Sequence, residues 1–198
     1  MEETDKIAAI LLASGFSQRF GNRNKLLVPF RGKPLARYTL ELAAKFSFAG
    51  GIFFVTSSDE AALLAADLKT VRVIGNNAPE KGLRESVRLG VEAAINAAYY
   101  LFFPCDMPLL DAATVQLVLD ARSHGCIVEP RYRSRPGNPC LFSAVYKDDL
   151  LSLKEEEAPW LIKACHPEVV RAVEVSNPLV LEDIDDEETL EWIEKTSP

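Results

Sequence analysis

The stretch ASGFSQRFGNRNK, residues 13–25, separates two apolar runs, KIAAILL and LLVPF. Small residues at Ala13, Ser14 and Gly15 let a backbone approach a ligand, and successive N–H groups form a nest for an anion. Arg19 offers a planar fork to phosphate oxygens, and Lys25 offers a mobile point charge. The loop is not a Walker A loop: five residues separate Gly15 from Gly21, and no Lys-Ser or Lys-Thr follows. It also lacks the G-x-G-x-x-G of dinucleotide folds. A second candidate is Asp106 in FFPCDMPLL, flanked by Pro104 and Pro108 after an apolar run. Beside a phosphate-holding loop, such a carboxylate suits Mg²⁺, which takes few protein oxygens and completes its shell with phosphates. A third is DIDDEE, which carries Asp183 and Asp185.

The charge distribution supports an anion site. The chain has 198 residues and a net charge of −7, which argues against nucleic acid and anionic membrane as partners. Yet the seven basic residues over 6–40 have no acidic residue among them, while residues 182–195 hold eight acidic residues and one basic. No run of apolar residues is long enough to span a membrane. The opening MEETDK is acidic and unlike a signal peptide, so a cytoplasmic protein is expected. The four cysteines form no C-x-x-C pair and read as reduced structural thiols.

The elements that must position these residues alternate. KIAAILL, GIFFV, TVRVI, YYLFF and CIVEP read as strands. Helices are expected over 34–46, 59–68, 83–98 and 111–122, the second capped by Asp59 and the fourth by Asp111. Such alternation predicts βαβ crossovers, a mostly parallel sheet and helices on both faces. Ligands then bind beyond the carboxyl ends of the strands. After Pro130, RYRSRPGNP reads as a turn-rich loop and CLF as a short strand. Helices follow over 144–153 and 159–165, then a strand in VVRAVEV. PLVL reads as a short strand before an acidic turn and a last helix.

The run LLASGFSQRFGNRNKLL resembles the signature of the molybdenum cofactor nucleotidyltransferases, roughly L-A-x-G-x-S-x-R-x-G-x-x-K, with a longer stretch before Lys25. FFPCDMPLL resembles the same family's C-D-M-P segment, and GLRES, with Gly82 and Ser86, resembles its G-x-x-x-S segment. DIDDEE resembles its D-I-D-T-P-E-D. The resemblance implies a three-layer, Rossmann-like α/β fold of the nucleotide-diphospho-sugar transferase type. It implies one domain over 1–198, with a nucleotide part to residue 130 and an acceptor part after it. Leu12, Ala13, Ser14, Gly15, Arg19, Lys25, Asn76, Gly82 and Ser86 would then contact nucleotide. Asp106, with Asp185 or Asp183, would hold Mg²⁺, and Arg19, Lys25 and Asp106 would be catalytic. The implied reaction moves CMP from CTP to the phosphate of a molybdopterin-type acceptor and releases pyrophosphate. A molybdenum hydroxylase would receive the product.

Ser14 makes the loop L-A-S-G, nearer the L-A-A-G of the cytidylyl branch than the L-A-G-G of the guanylyl branch, and GTP stays open. Two departures fall on the acceptor side. Asn138 stands where related cytidylyltransferases have the histidine of G-H-P, and KEEEAPWLIKACHP replaces a G-D-x-G-A-R-like segment. Two alternatives follow. One is transfer to another small phosphate, such as a sugar phosphate or methylerythritol phosphate; RESVRLG resembles the R-x-S-V-x-x-G of the latter's enzyme, while C-D-M-P argues against it. The other is a non-catalytic accessory protein that carries the cofactor to its enzyme.

Overall fold

The computed structural model describes residues 6–14, 20, 23–155 and 157–196. β1 (Ile7–Ala13) lies near the centre of the sheet. Its residues alternate between two cores: Ala9, Leu11 and Ala13 enter one, Ala8 and Ile10 the other. Both faces are buried, which explains why the strand reads as an unbroken apolar run.

After β1 come a two-residue ribbon, β2 (Pro29–Phe30) with β3 (Lys33–Pro34), and then α1 (Leu35–Ala44). β4 (Gly51–Thr56), α2 (Asp59–Ala62) and β5 (Val71–Gly75) extend one side of the sheet; α3 (Leu83–Ala93) then returns the chain to β6 (Tyr99–Pro104) on the other flank of β1. α4 (Ala112–Asp120), β7 (Ile127–Tyr132), β8 (Arg135–Pro136), β9 (Cys140–Ser143), α5 (Lys147–Leu151), α6 (Pro159–Cys165), β10 (Val170–Glu174) and α7 (Glu187–Thr196) complete the order. Among the described residues, eight strands make one sheet in the order β10-β7-β9-β6-β1-β4-β5, with β8 paired to β7. β1, β4, β5 and β6 are parallel, and β9 runs antiparallel between β6 and β7. α1 and α4 cover one face; α3, α5 and α6 cover the other.

The expected alternation is present, and its boundaries move for local reasons. Ser58, not Asp59, caps α2, because its side chain accepts from the Ala61 N–H. α2 gives way to a 3-10 turn, Leu63–Ala65. α3 stops at Ala93, since the chain must turn for Ala98 to donate to the Lys6 carbonyl beside the start of β1. α1 starts after Pro34, which pairs in the ribbon. Residues 144–153 begin as a 3-10 turn before α5. PLVL is not a strand: Pro178 starts a 3-10 turn that the Asn177 side chain caps. The basic loop after Tyr132 is a tight hairpin, with Arg133 and Ser134 both at positive φ. The sheet is mostly parallel, as expected, and β8 and β9 are its antiparallel members. β9 is only four residues long, and a strand that short gives no direction in sequence.

Two chain ends of the site meet through a glycine. Gly137 donates to the Pro130 carbonyl at 2.8 Å and Asn138 to the Val180 carbonyl at 3.0 Å. A Cβ on residue 137 would lie 2.5 Å from the Val180 carbonyl oxygen. Gly137→Ala must therefore push the segment before Asp183 outward. The expected loss is about 1–3 kcal/mol of stability, read from urea melts.

Candidate functional site

The chain runs from β1 outward through β4 and β5, then crosses to β6 on β1's other flank. The carboxyl ends of β1 and β6 thus diverge at a topological switch point, the usual ligand crevice of open α/β sheets. A cleft of about 300 Å³ opens there, lined by Leu12, Ser14, Leu83, Pro104, Asp106, Met107, Asn138, Leu181 and Asp183.

Lys25 is the first residue of a 3-10 turn, Lys25–Leu27. Asn24 caps that turn, its Oδ1 accepting from the Leu26 N–H at 3.1 Å. Arg23, just before it, pairs with Glu187 in the first turn of α7. The stretch ahead of Lys25 thus supplies a cap and a tether. Lys25 Nζ donates to Asp106 Oδ2 at 2.8 Å and to Asp185 Oδ1 at 2.7 Å. Burial works against the Lys25 ammonium, but Asp106 and Asp185 outweigh it and raise its pKa above the ordinary value. It is charged at neutral pH.

Asp106 follows β6, where Cys105 N–H bonds to the Leu12 carbonyl at 3.2 Å. The Asp106 carbonyl accepts from Ile184 N–H at 3.0 Å, which fixes the acidic turn against the C-D-M-P segment. Ile184 packs in a satellite core with Phe20, Phe30, Leu35, Leu190 and Ile193. The side chain of Asp186 accepts from Thr189 N–H at 2.8 Å and so caps the last helix. Asp183 and Asp185 flank the buried Ile184. Asp106, Asp183 and Asp185 each bring a carboxylate oxygen within 4.8 Å of the others. Partial burial, then Asp185 and Asp106, push the Asp183 carboxyl above its usual range. The donor set is hard oxygen with excess negative charge, which fits a divalent cation such as Mg²⁺ or Mn²⁺.

The other residues singled out from sequence fall at the carboxyl ends of strands or nearby. Leu12 and Ser14 line the cleft, and Ser14 Oγ donates to the Val55 carbonyl at 3.2 Å. Ala13 is buried and faces the core. Asn76 is buried after β5, its Nδ2 bonded to Ser86 Oγ at 3.1 Å and its Oδ1 accepting from Ala78 N–H at 2.9 Å. That amide braces α3 rather than projecting into open space. Gly82 precedes α3 with φ at +75°, a backbone that disfavours any side chain. Gly15 and Arg19 lie outside the described residues.

Some cleft residues carried little sequence signal. Met107 and Asn138 face each other, with Asn138 Nδ2 donating weakly to Met107 Sδ at 3.4 Å. Leu181 is an ordinary apolar residue in sequence, and only the fold brings it to the cleft. Cys105, beside Asp106, is no nucleophile: burial raises its thiol well above the ordinary range. Cys105, Cys126, Cys140 and Cys165 are all free thiols. Among the described residues, no helix is long and apolar enough to cross a membrane.

A lysine and three carboxylates at the switch point of a mostly parallel sheet suit an α/β protein that binds phosphate with a divalent cation. The MobA-like NTP transferase domain matches residues 9–169, and the chain belongs to that family of nucleotidyltransferases. It is 28% identical over 164 residues to the molybdenum cofactor guanylyltransferase of Ralstonia pickettii, covering 76% of this chain and 78% of the relative. It is also 27% identical over 184 residues to the nicotine blue oxidoreductase of Paenarthrobacter nicotinovorans, covering 82% of this chain and 88% of that one. Its fold matches Rv0371c of Mycobacterium tuberculosis with a TM-score of 0.79, at 23% identity, over 96% of this chain and 99% of that one. That protein has also been solved as a complex with manganese. The sheet and helices are those of the nucleotide-diphospho-sugar transferase-like fold.

Proposed function

We propose that this chain transfers CMP from CTP to the phosphate of a molybdopterin-type acceptor, with Mg²⁺ and with release of pyrophosphate. The observation that carries the reading is the convergence of Lys25, Asp106, Asp185 and Asp183 beyond the carboxyl ends of β1 and β6. The acceptor follows from the molybdenum cofactor guanylyltransferase among its relatives. The product would pass to a molybdenum hydroxylase.

The acceptor phosphomonoester is already ionised at neutral pH and attacks the α-phosphorus in line with the departing pyrophosphate. No strong general base is needed, in keeping with the described residues that line the cleft, none of which is a histidine. Catalysis rests on position and on fixed charge that meets the charge of the transition state. Lys25 neutralises the α-phosphate, and Arg19 holds the pyrophosphate portion. Asp106, with Asp185 and Asp183, would hold Mg²⁺, which supplies charge neutralisation for the triphosphate when bound. Asn138 and Met107 line the same cleft.

CTP is preferred over GTP because Ser14, anchored to the Val55 carbonyl, adds a side chain at the cleft wall where the guanylyl branch has glycine. Ser14→Gly is expected to shift the CTP-to-GTP ratio of kcat/KM toward GTP by about tenfold, the lower end of what one small group decides in a pocket. Steady-state kinetics with both nucleotides check this.

The central test incubates purified protein with Mg²⁺, molybdopterin and either CTP or GTP, and identifies the product by mass. A cytidylated pterin with one pyrophosphate per turnover is expected. A guanylated product moves the reading to GTP. No adduct and no pyrophosphate above background would leave a carrier of the finished cofactor.

A further inference from the structure

We propose that Lys25 occupies the cation site of the resting protein, and that a divalent ion can enter only as Lys25 leaves its carboxylates for phosphate. The inference rests on the nucleotidyl-transfer reading above, and it makes metal and nucleotide binding mutually dependent. Lys25 Nζ lies 2.8 Å from Asp106 and 2.7 Å from Asp185, carboxylates that come from positions 81 and 160 residues away. Both belong to the three-carboxylate group whose oxygens converge within 4.8 Å. The Lys25 side chain is only 12% exposed and that of Asp106 23%, so solvent screens this pair weakly; Asp185, at 43%, is screened more.

An ammonium and a divalent ion draw on the same carboxylate charge. With Lys25 in place, an entering ion meets two carboxylates already partly neutralised and a positive charge beside them. Without nucleotide, Lys25 has strong partners to hold it where it is. When a triphosphate fills the cleft, its oxygens give Lys25 a new anionic partner, and the carboxylates are released to the ion. The two ligands thus raise each other's affinity, as linkage requires. Lys25 acts twice: as a place-holder in the resting state and as a phosphate ligand in the loaded one.

The test measures Mn²⁺ alone on the nucleotide-free protein, from the electron paramagnetic resonance signal of the free ion. Lys25→Met is expected to bind Mn²⁺ at least tenfold more tightly than wild type, because three carboxylates lose their internal counter-charge. Lys25→Arg, which restores that charge, is expected to stay within threefold of wild type. Lys25→Gln keeps a polar side chain and carries the same expectation as Lys25→Met if the latter folds poorly. Adding Asp106→Asn to Lys25→Met should abolish the gain. Equal affinities in wild type and Lys25→Met, or a gain that survives Asp106→Asn, overturn the proposal. Metal-dependent pyrophosphate release with equal Mn²⁺ affinities overturns the exchange and leaves nucleotidyl transfer standing. A tenfold gain in a protein that releases no pyrophosphate supports the exchange and sinks the catalytic reading.

Discussion

Lys25→Ala and Asp106→Ala are each expected to lower turnover by at least tenfold, and on the order of a hundredfold, while the protein stays folded. Removing one preorganised charge from a transition-state site typically costs about 2.7–4 kcal/mol. The two changes remove side chains that meet in the nucleotide-free site, 2.8 Å apart, and that would act on the same transferring phosphoryl group in the loaded one, Lys25 directly and Asp106 through the ion it would hold. They should therefore not add: the double variant is expected to lose less than the product of the single losses. Circular dichroism and a thermal melt establish that each variant folds, and pyrophosphate release reads the rate. Either variant turning over at the wild-type rate would remove the site from the mechanism.

The second large effect is on stability. Glu129 sits on β7 with its side chain 4% exposed, between Lys163 on α6 and Arg131. Its carboxylate accepts from Lys163 Nζ at 2.7 Å and from Arg131 Nε at 2.9 Å. Lys163 also reaches Cys140 Sγ at 3.5 Å, and that thiol donates to the Gly137 carbonyl at 3.3 Å. Glu129→Ala leaves a half-buried ammonium without its anion. Breaking a buried pair at one end costs about 3–5 kcal/mol. Lys163 is partly exposed, at 17%, so the lower end applies. The expected fall in Tm is about 6–12 °C. Replacing Glu129 and Lys163 together with leucines should restore much of the loss, because well-packed apolar groups often match a buried pair. A single variant as stable as wild type would show that Arg131 and solvent absorb the charge. Alkaline pH offers a second check. Burial lowers the Lys163 pKa, but Cys140 and Glu129 outweigh it and set it above the ordinary 10.5. This pair's stabilisation is therefore complete below 10.5 and fades as pH rises through the shifted value.

Much of the fold over residues 1–130 was legible in sequence because each signal there is local. β1 is buried on both faces, so it shows as a continuous apolar run. Asp111 caps α4 through the Thr114 N–H, a contact three residues long that a helix-start pattern captures. Lys25 and Asp106 stand in motifs of mixed residue type, which random loops rarely match. What sequence could not give were relations set by tertiary contact. The direction of β9 follows from where β6 and β7 lie, not from the residues Cys140–Ser143. PLVL has strand-like residues, yet Pro178 and the Asn177 cap turn it into a 3-10 segment that brings Val180 under Gly137. The bonds of the Asn76 amide to Ser86 and Ala78 follow from its burial after β5, which no local pattern announces. The ion cluster under α6 joins residues 34 apart and leaves no periodic trace.

The bond between Lys25 and Asp185 closes a loop of 160 residues, and Ile184 is locked to Asp106 behind it. Contacts this distant in sequence form late, because the chain between them must be ordered first. During synthesis β1 to β6 leave the ribosome before the acidic turn, which follows them in the chain. A nascent chain would then expose Lys25 and Asp106 without Asp183 or Asp185. The candidate site is thus complete only when the acidic turn, 160 residues after Lys25, has folded back onto it.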